Sequence, residues 1–297
     1  MSDLISVAVV RGGIVEAVHR VHAVAVDAEG KVVDAAGDGE LLTFMRSSAK
    51  PIQALPLART AVPLGDREVA IACASHLADP EQLAAVRALL TRAEATEDDL
   101  VCGLEGEPPS RLNHNCSGNH AGMLVVCREH GWDIHGYGNA DHPVQRALVA
   151  EVAATADVPR ERMQTASDGC GVLTFALPLS RMAVAFTRLE SLPGGERVLA
   201  SMRAHPELIR GPESADVRLM RVRPGWVAKG GAEALLCAAA PDGLALALKV
   251  EDGASRAVAP GLAAFLGRLG HDLPELASET VFDSRGEPVG EIVAETP

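Results

Sequence analysis

The chain changes its hydrophobic pattern twice, and those two changes limit what it can fold into. Ser6-Val7-Ala8-Val9-Val10 runs into a Gly12-Gly13 turn, and a longer apolar run follows from Val18 to Val26. Asp27-Ala28-Glu29-Gly30 breaks that run and Lys31-Val32-Val33 resumes it, so residues 5–36 read as a meander or pair of hairpins. At the far end Val227–Gly231, Ala234–Ala240 and Leu244–Val250 read as strands, the last two joined by a Pro241-Asp242-Gly243 turn. An amphipathic helix then holds Gly261–Gly270, and residues 280–294 pattern as a closing hairpin. Between the two ends the punctuation is helical. Asp79 is an N-cap with Pro80 at N1 and Gln82 at N3, the residues of a capping box. Further helices are expected through Met123–Val126, from Asp141-His142-Pro143 to about Ala156, and near 178–190 and 194–205, with a strand at Met163–Ser167. Strands at both ends with helices between imply an antiparallel sheet assembled from both termini, with a mostly helical insertion beside it. The fold class is therefore α/β (α+β). A single catalytic domain over 1–297 is expected, its sheet part being 1–60 with 220–297 and its helical part 61–219.

A net charge of −13 argues against nucleic acid and anionic membrane surfaces as partners. Eight aromatic residues are too few for a base-stacking platform. Met1-Ser2-Asp3-Leu4 carries an acid and no basic region before its short apolar run, which fits no secretory signal, and no apolar run is long enough to span a bilayer. A cytoplasmic location is the expectation. The six cysteines form no C-x-x-C pair, and four of them, Cys73, Cys102, Cys127 and Cys237, read as core. Cys116 and Cys170 instead sit among glycine and polar residues.

Chemistry enters at Arg46-Ser47-Ser48-Ala49-Lys50-Pro51. A hydroxyl and an amine three residues apart share a helix face, and a deprotonated lysine can activate a serine for attack on an acyl carbon. With 15 serines and four lysines, about 0.2 chance matches to Ser-x-x-Lys are expected, so the motif needs support. Lysine usage supplies some. The other 23 basic residues are arginine, which stays protonated, whereas a lysine can be desolvated for chemistry. Lys50 follows Ser47, Lys229 opens Lys229-Gly230-Gly231, and Lys249 ends an apolar run. Pro51 is compatible with a first helical turn, although a residue before proline avoids αR geometry, so a distorted turn is expected.

Ser47-x-x-Lys50, Ser117-Gly118-Asn119 and Lys229-Gly230-Gly231 resemble, in order and element type, the three signatures of serine β-lactamases and penicillin-binding proteins, with S-x-N on a loop. A closer resemblance covers nearly the whole chain. Arg46–Pro51, Cys73-Ala74-Ser75-His76, Asn115-Cys116-Ser117-Gly118, Asp168-Gly169-Cys170-Gly171 and Ala228–Glu233 look like the asparaginase II family of the rhizobial inducible type. That family is similar in fold to serine β-lactamases and serine-type glutaminases, and it is unrelated to the threonine-nucleophile asparaginases.

The resemblance implies hydrolysis of L-asparagine to L-aspartate and ammonia by a homodimer. It implies Ser47 as nucleophile, Lys50 as its base, and Ser75 with Lys249 as a second Ser–Lys pair. Asp168 would hold the substrate α-amino group, either Arg46 or Lys229 its α-carboxylate, and Asn119 and His120 would lie at the substrate site. The oxyanion would meet the N–H groups of Ser47 and of a residue near Ala232. The family also implies zinc on two cysteines and a lysine. Here Cys116 and Cys170 are kept but Asn119 replaces the lysine, and an amide oxygen is a poor zinc ligand beside thiolates. Either His120 completes the site or the metal is weak or absent, and no cofactor is required. Duller readings stand beside these: Ser75 as an ordinary cap, His76 and His120 as structural histidines, and Asp168 as a cap for its turn. Rival functions are a glutaminase, a β-lactamase-like hydrolase, and a silent sensor of asparagine or aspartate.

Overall fold

The computed structural model describes residues 3–295, so Met1 and Ser2 of the Met1–Leu4 segment lie outside it. The strands are β1 (Ile5–Arg11), β2 (Ile14–Val26), β3 (Val32–Ala36), β4 (Leu42–Phe44), β5 (Gln164–Ser167), β6 (Leu173–Pro178), β7 (Val227–Gly231), β8 (Leu235–Ala239), β9 (Ala245–Val250), β10 (Ser278–Phe282) and β11 (Pro288–Ala294). The main sheet runs β10-β11-β1-β2-β9-β8-β7 with β3 also on β2, and its pairs are antiparallel. Both ends of the chain supply it, as the pattern required. β2 is the hinge of this arrangement. Its first half pairs with β1, and its second half pairs with β9 from Val21↔Val250 to Val26↔Ala245.

Every residue of β7, β8 and β9 is buried. That agrees with their unbroken apolar runs, since a strand covered on both faces has no reason to alternate. Two helices supply part of that cover. α7 (Leu179–Arg188) lies across β9, β2 and β8, and α11 (Val258–Arg268) packs on β1 and β11.

The intervening helices are α1 (Lys50–Gln53), α2 (Leu55–Ala58), α3 (Asp66–Ala72), α4 (Pro80–Arg92), α5 (Ser117–Glu129) and α6 (Pro143–Thr155), followed after α7 by α8 (Gly195–Ala204), α9 (Pro206–Ile209) and α10 (Ala215–Val222). α4 starts as read. The Asp79 carboxylate accepts from the Gln82 N–H at 2.9 Å, and the Gln82 side chain accepts in return from the Asp79 N–H at 3.2 Å. α5 begins at Ser117, six residues before the stretch expected to be helical, so Ser117-Gly118-Asn119 is a helix start and not a loop. Gly118 makes that start possible, because a Cβ there would stand 2.3 Å from the Ile71 carbonyl oxygen in α3. A small sheet β4-β6-β5 was not anticipated. Among the described residues, no helix is long and apolar enough to cross a membrane.

Candidate active site

Ser47 sits in a tight 3-10 turn, Arg46–Ala49, that runs straight into α1. Lys50 adopts αR geometry (φ −58°, ψ −38°) despite the following proline, so the expected distortion is taken up as the narrower turn ahead of it. The larger strain falls on Arg46, whose φ is +49°. A non-glycine residue there costs about 1–2 kcal/mol and persists only when its surroundings enforce it. The enforcement is visible on both sides. The Met45 N–H donates to the Phe175 carbonyl (2.8 Å) and the Arg46 N–H to Thr174 Oγ1 (3.1 Å), both in β6. Ser48 Oγ donates to the Lys229 carbonyl in β7 at 2.9 Å. At Gly231 a Cβ would come within 2.8 Å of the Met45 carbonyl oxygen, so the turn and β7 touch backbone to backbone. Ser47 is thereby fixed on the wall of a cavity of ≈ 310 Å³, shared with Ser75, Cys116, Asp168, Cys170 and Ala232 among others.

Two lysine amines converge on one hydroxyl, and it is not that of Ser47. Lys50 Nζ lies 3.1 Å from Ser75 Oγ, and Lys229 Nζ lies 3.0 Å from the same oxygen. Lys50 Nζ also donates to the Ala74 carbonyl (2.5 Å) and Cys116 Sγ (3.2 Å). Three acceptors match the three donors of an ammonium. No Lys50–Ser47 hydrogen bond is present among the described residues, so the direct pair expected from the spacing is replaced by a Ser75-centred one. Lys229 is wholly buried and also donates to the Gly230 carbonyl at 2.7 Å. Burial pushes its amine down to about 7, opposed by Asp216 at 3.9 Å and helped by the charges of Lys50 and Arg210. At neutral pH Lys229 is therefore near its balance point between donor and acceptor.

The other predicted residues divide. Lys249 does not pair with Ser75. It lies on β9 opposite His22 and Leu235, and its amine donates to the Val250 carbonyl. The lysine that reaches Ser75 is Lys229, two strands away. The Ser117 hydroxyl of the S-x-N signature is engaged internally, its Oγ donating to the Leu112 carbonyl (2.9 Å) and meeting His76 Nε2 at 2.8 Å. Asn119 turns its amide to the Ala72 carbonyl at 3.1 Å, away from the cavity. His120 is fully buried, its Nδ1 2.6 Å from the Tyr137 hydroxyl, and burial lowers its pKa to about 4. Neither of them lines the cavity. Asp168 and Arg46 do, and they are engaged with each other through two hydrogen bonds of 3.1 and 2.9 Å. Arg210 and Glu105 also line the cavity and carried no motif that would have singled them out.

Zinc is the metal the resemblance implies, and the side chains do not suit it. Cys116 and Cys170 share a thiol hydrogen bond that pushes Cys116 towards thiolate, with Lys50 helping, and pushes Cys170 up. They are two donors. The third position is Asn119, facing Ala72, and the His114 ring accepts the Cys116 N–H at 3.1 Å. His120 Nε2 has no partner, but among the described residues no three His, Cys, Asp or Glu groups gather to hold a metal. The Cys116 sulfur takes its positive neighbour from Lys50 instead.

The profile of the L-asparaginase II family matches residues 7–294. The chain belongs to the L-asparaginase II family. Among solved structures it is similar to Mglu in its native form in the presence of 4.3 M NaCl, with 13% identity, TM-score 0.40, 86% of this chain and 61% of that one. It is also similar to Mglu in its L-glutamate binding form, with 14% identity, TM-score 0.39, and 86% and 62% coverage. These likenesses are distant, and this L-asparaginase II family chain spans about three fifths of those structures. No curated protein matches its sequence.

Proposed function

We propose that this L-asparaginase II family member is an amidohydrolase that cleaves the side-chain amide of L-asparagine through an acyl-enzyme on Ser47. The observation that carries the reading is the Ser75 hydroxyl held between two lysine amines, on the wall of the cavity that Ser47 also lines.

The proposed chemistry uses that arrangement. Ser47 attacks the amide carbon, and its proton passes through Ser75 to a neutral Lys229. The tetrahedral oxyanion is met by backbone N–H groups at Ser47 and Ala232. The proton returns through Ser75 to the departing nitrogen, and ammonia leaves. Water then enters where ammonia left, the same relay takes its proton, and L-aspartate is released with Ser47 restored. Lys50 donates to Ser75 throughout, which keeps one lone pair of that oxygen occupied and orients its proton towards Lys229. No step requires a metal ion.

The test is ammonia release by purified protein from L-asparagine and L-glutamine in parallel, with Ser47→Ala as control. Turnover of asparagine that vanishes in Ser47→Ala supports the reading. Faster turnover of glutamine would reassign the substrate, and Ser47→Ala retaining wild-type turnover would remove the acyl-enzyme.

A further inference from the structure

Arg210 lines the cavity with its guanidinium out of hydrogen-bond reach of any carboxylate among the described residues, beside cations that are already engaged. Both arms of Arg46 rest on Asp168. Lys50 meets three acceptors, and Lys229 is fully buried on Ser75 and the Gly230 carbonyl. Arg210 has no hydrogen bond or ion pair through its guanidinium among the described residues. The carboxylate nearest at hand, Asp216, is turned onto the Gly230 N–H at 2.8 Å.

The position of Arg210 is nevertheless fixed. The Ile209 carbonyl accepts from the Ser75 N–H at 2.8 Å, and Gln82 Nε2 donates to the carbonyls of Glu207 (3.0 Å) and Arg210 (3.4 Å). The backbone carrying the guanidinium is thus clamped to the Ser75 segment and to the start of α4. Its Nη1 lies 3.2 Å from where a Cβ on Gly230 would stand, so Gly230 leaves the guanidinium room to lie close against β7. It lines both the Ser47 cavity and the neighbouring one of ≈ 590 Å³.

We propose that Arg210 receives the α-carboxylate of the substrate, making it the residue that selects an amino-acid amide over a simple amide. This rests on the amide-hydrolysis reading above. A free amino acid entering a ≈ 310 Å³ cavity brings a full negative charge that has to be met there. A guanidinium meets a carboxylate with two parallel N–H donors, a geometry that the other three cations cannot offer without breaking bonds they already make.

The experiment compares kcat/KM for L-asparagine with that for β-alaninamide, which is asparagine without its carboxylate. In Arg210→Ala the ratio between the two substrates falls about 10- to 100-fold, mainly through KM for asparagine, the range expected for hydrogen bonds to a charged group. Arg210→Lys recovers only part of the ratio and serves as the second variant should Arg210→Ala not fold. Calorimetry with L-aspartate adds a readout free of turnover, and its affinity falls by a similar factor in Arg210→Ala. An unchanged ratio with unchanged aspartate affinity overturns the proposal, as does a ratio that collapses in Arg46→Ala and not at Arg210. Wild-type protein that binds aspartate but releases no ammonia removes the hydrolysis reading and leaves the calorimetric comparison to decide Arg210. Wild-type protein that neither binds nor hydrolyses removes both.

Discussion

The proposed relay rests its proton traffic on Lys229, a fully buried lysine with Asp216 3.9 Å from its amine. Lys229 is drawn down to about 7 chiefly by burial, with Asp216 only partly offsetting it. If its neutral form accepts the Ser75 proton, kcat/KM for asparagine rises with pH through about 7 and levels off above it. A profile that stays flat from pH 5.5 to 9 would contradict this role. Lys229→Met should lose the acid limb and, with it, about 10²–10⁴-fold in rate, the usual worth of a positioned acid–base group. Ser47→Ala makes a different prediction. Turnover goes, but the binding groups remain, so L-aspartate at about 100 times its Kd should still stabilise the variant by about 2.7 kcal/mol in a thermal melt. Loss of that stabilisation would place Ser47 in binding, not attack.

Among the elements, the contact between α3 and the first turn of α5 is the least forgiving. Gly118→Ala would set a Cβ 2.3 Å from the Ile71 carbonyl oxygen, and backbone cannot swing aside as a side chain can. A loss of about 1–3 kcal/mol is expected, read as a lower urea midpoint. An unchanged midpoint would mean that α5 starts later, where the sequence alone had put its helical run. What was legible at this scale was local chemistry. Asp79-Pro80 with Gln82 announces α4 because every group involved lies within four residues. The partner of Ser75 could not be read that way. Lys229 is 154 positions distant, and both β7 and β9 are buried on each face, so no alternation tells which of their lysines reaches Ser75. The choice of Lys249 failed there. β4 was missed because three residues carry no period, and the S-x-N reading failed because Gly118 conceals a helix start behind a loop-like composition. Arg46, Ser47, Ser75, Asp168 and the two cysteines each sit in a short dense motif and line one cavity, with Lys50 bonded to Ser75 behind it. Arg210 sits in none.

For the molecule as a whole, the site is charged against stability. The folded chain holds the Lys229 proton less tightly than the unfolded chain does, so between pH 7 and 10.5 the unfolded state carries more protons. Stability attributable to this group therefore rises with pH across that window, by at most about 1.4 kcal/mol per unit. Wild type compared with Lys229→Met in denaturant melts should show a stability gap that narrows in wild type's favour from pH 7 to 10. A gap that does not vary with pH would mean that the amine is solvated. The two halves of β2 find their partners in Ile5–Arg11 and Ala245–Val250, nearly the whole chain apart. A nascent polypeptide carrying Ser47 and Lys50 has neither the strand that pins their turn nor the second amine facing Ser75 until synthesis has passed residue 231. Premature termination in the helical middle therefore yields a product that carries the proposed nucleophile but lacks β7 and its lysine, and it should be inert.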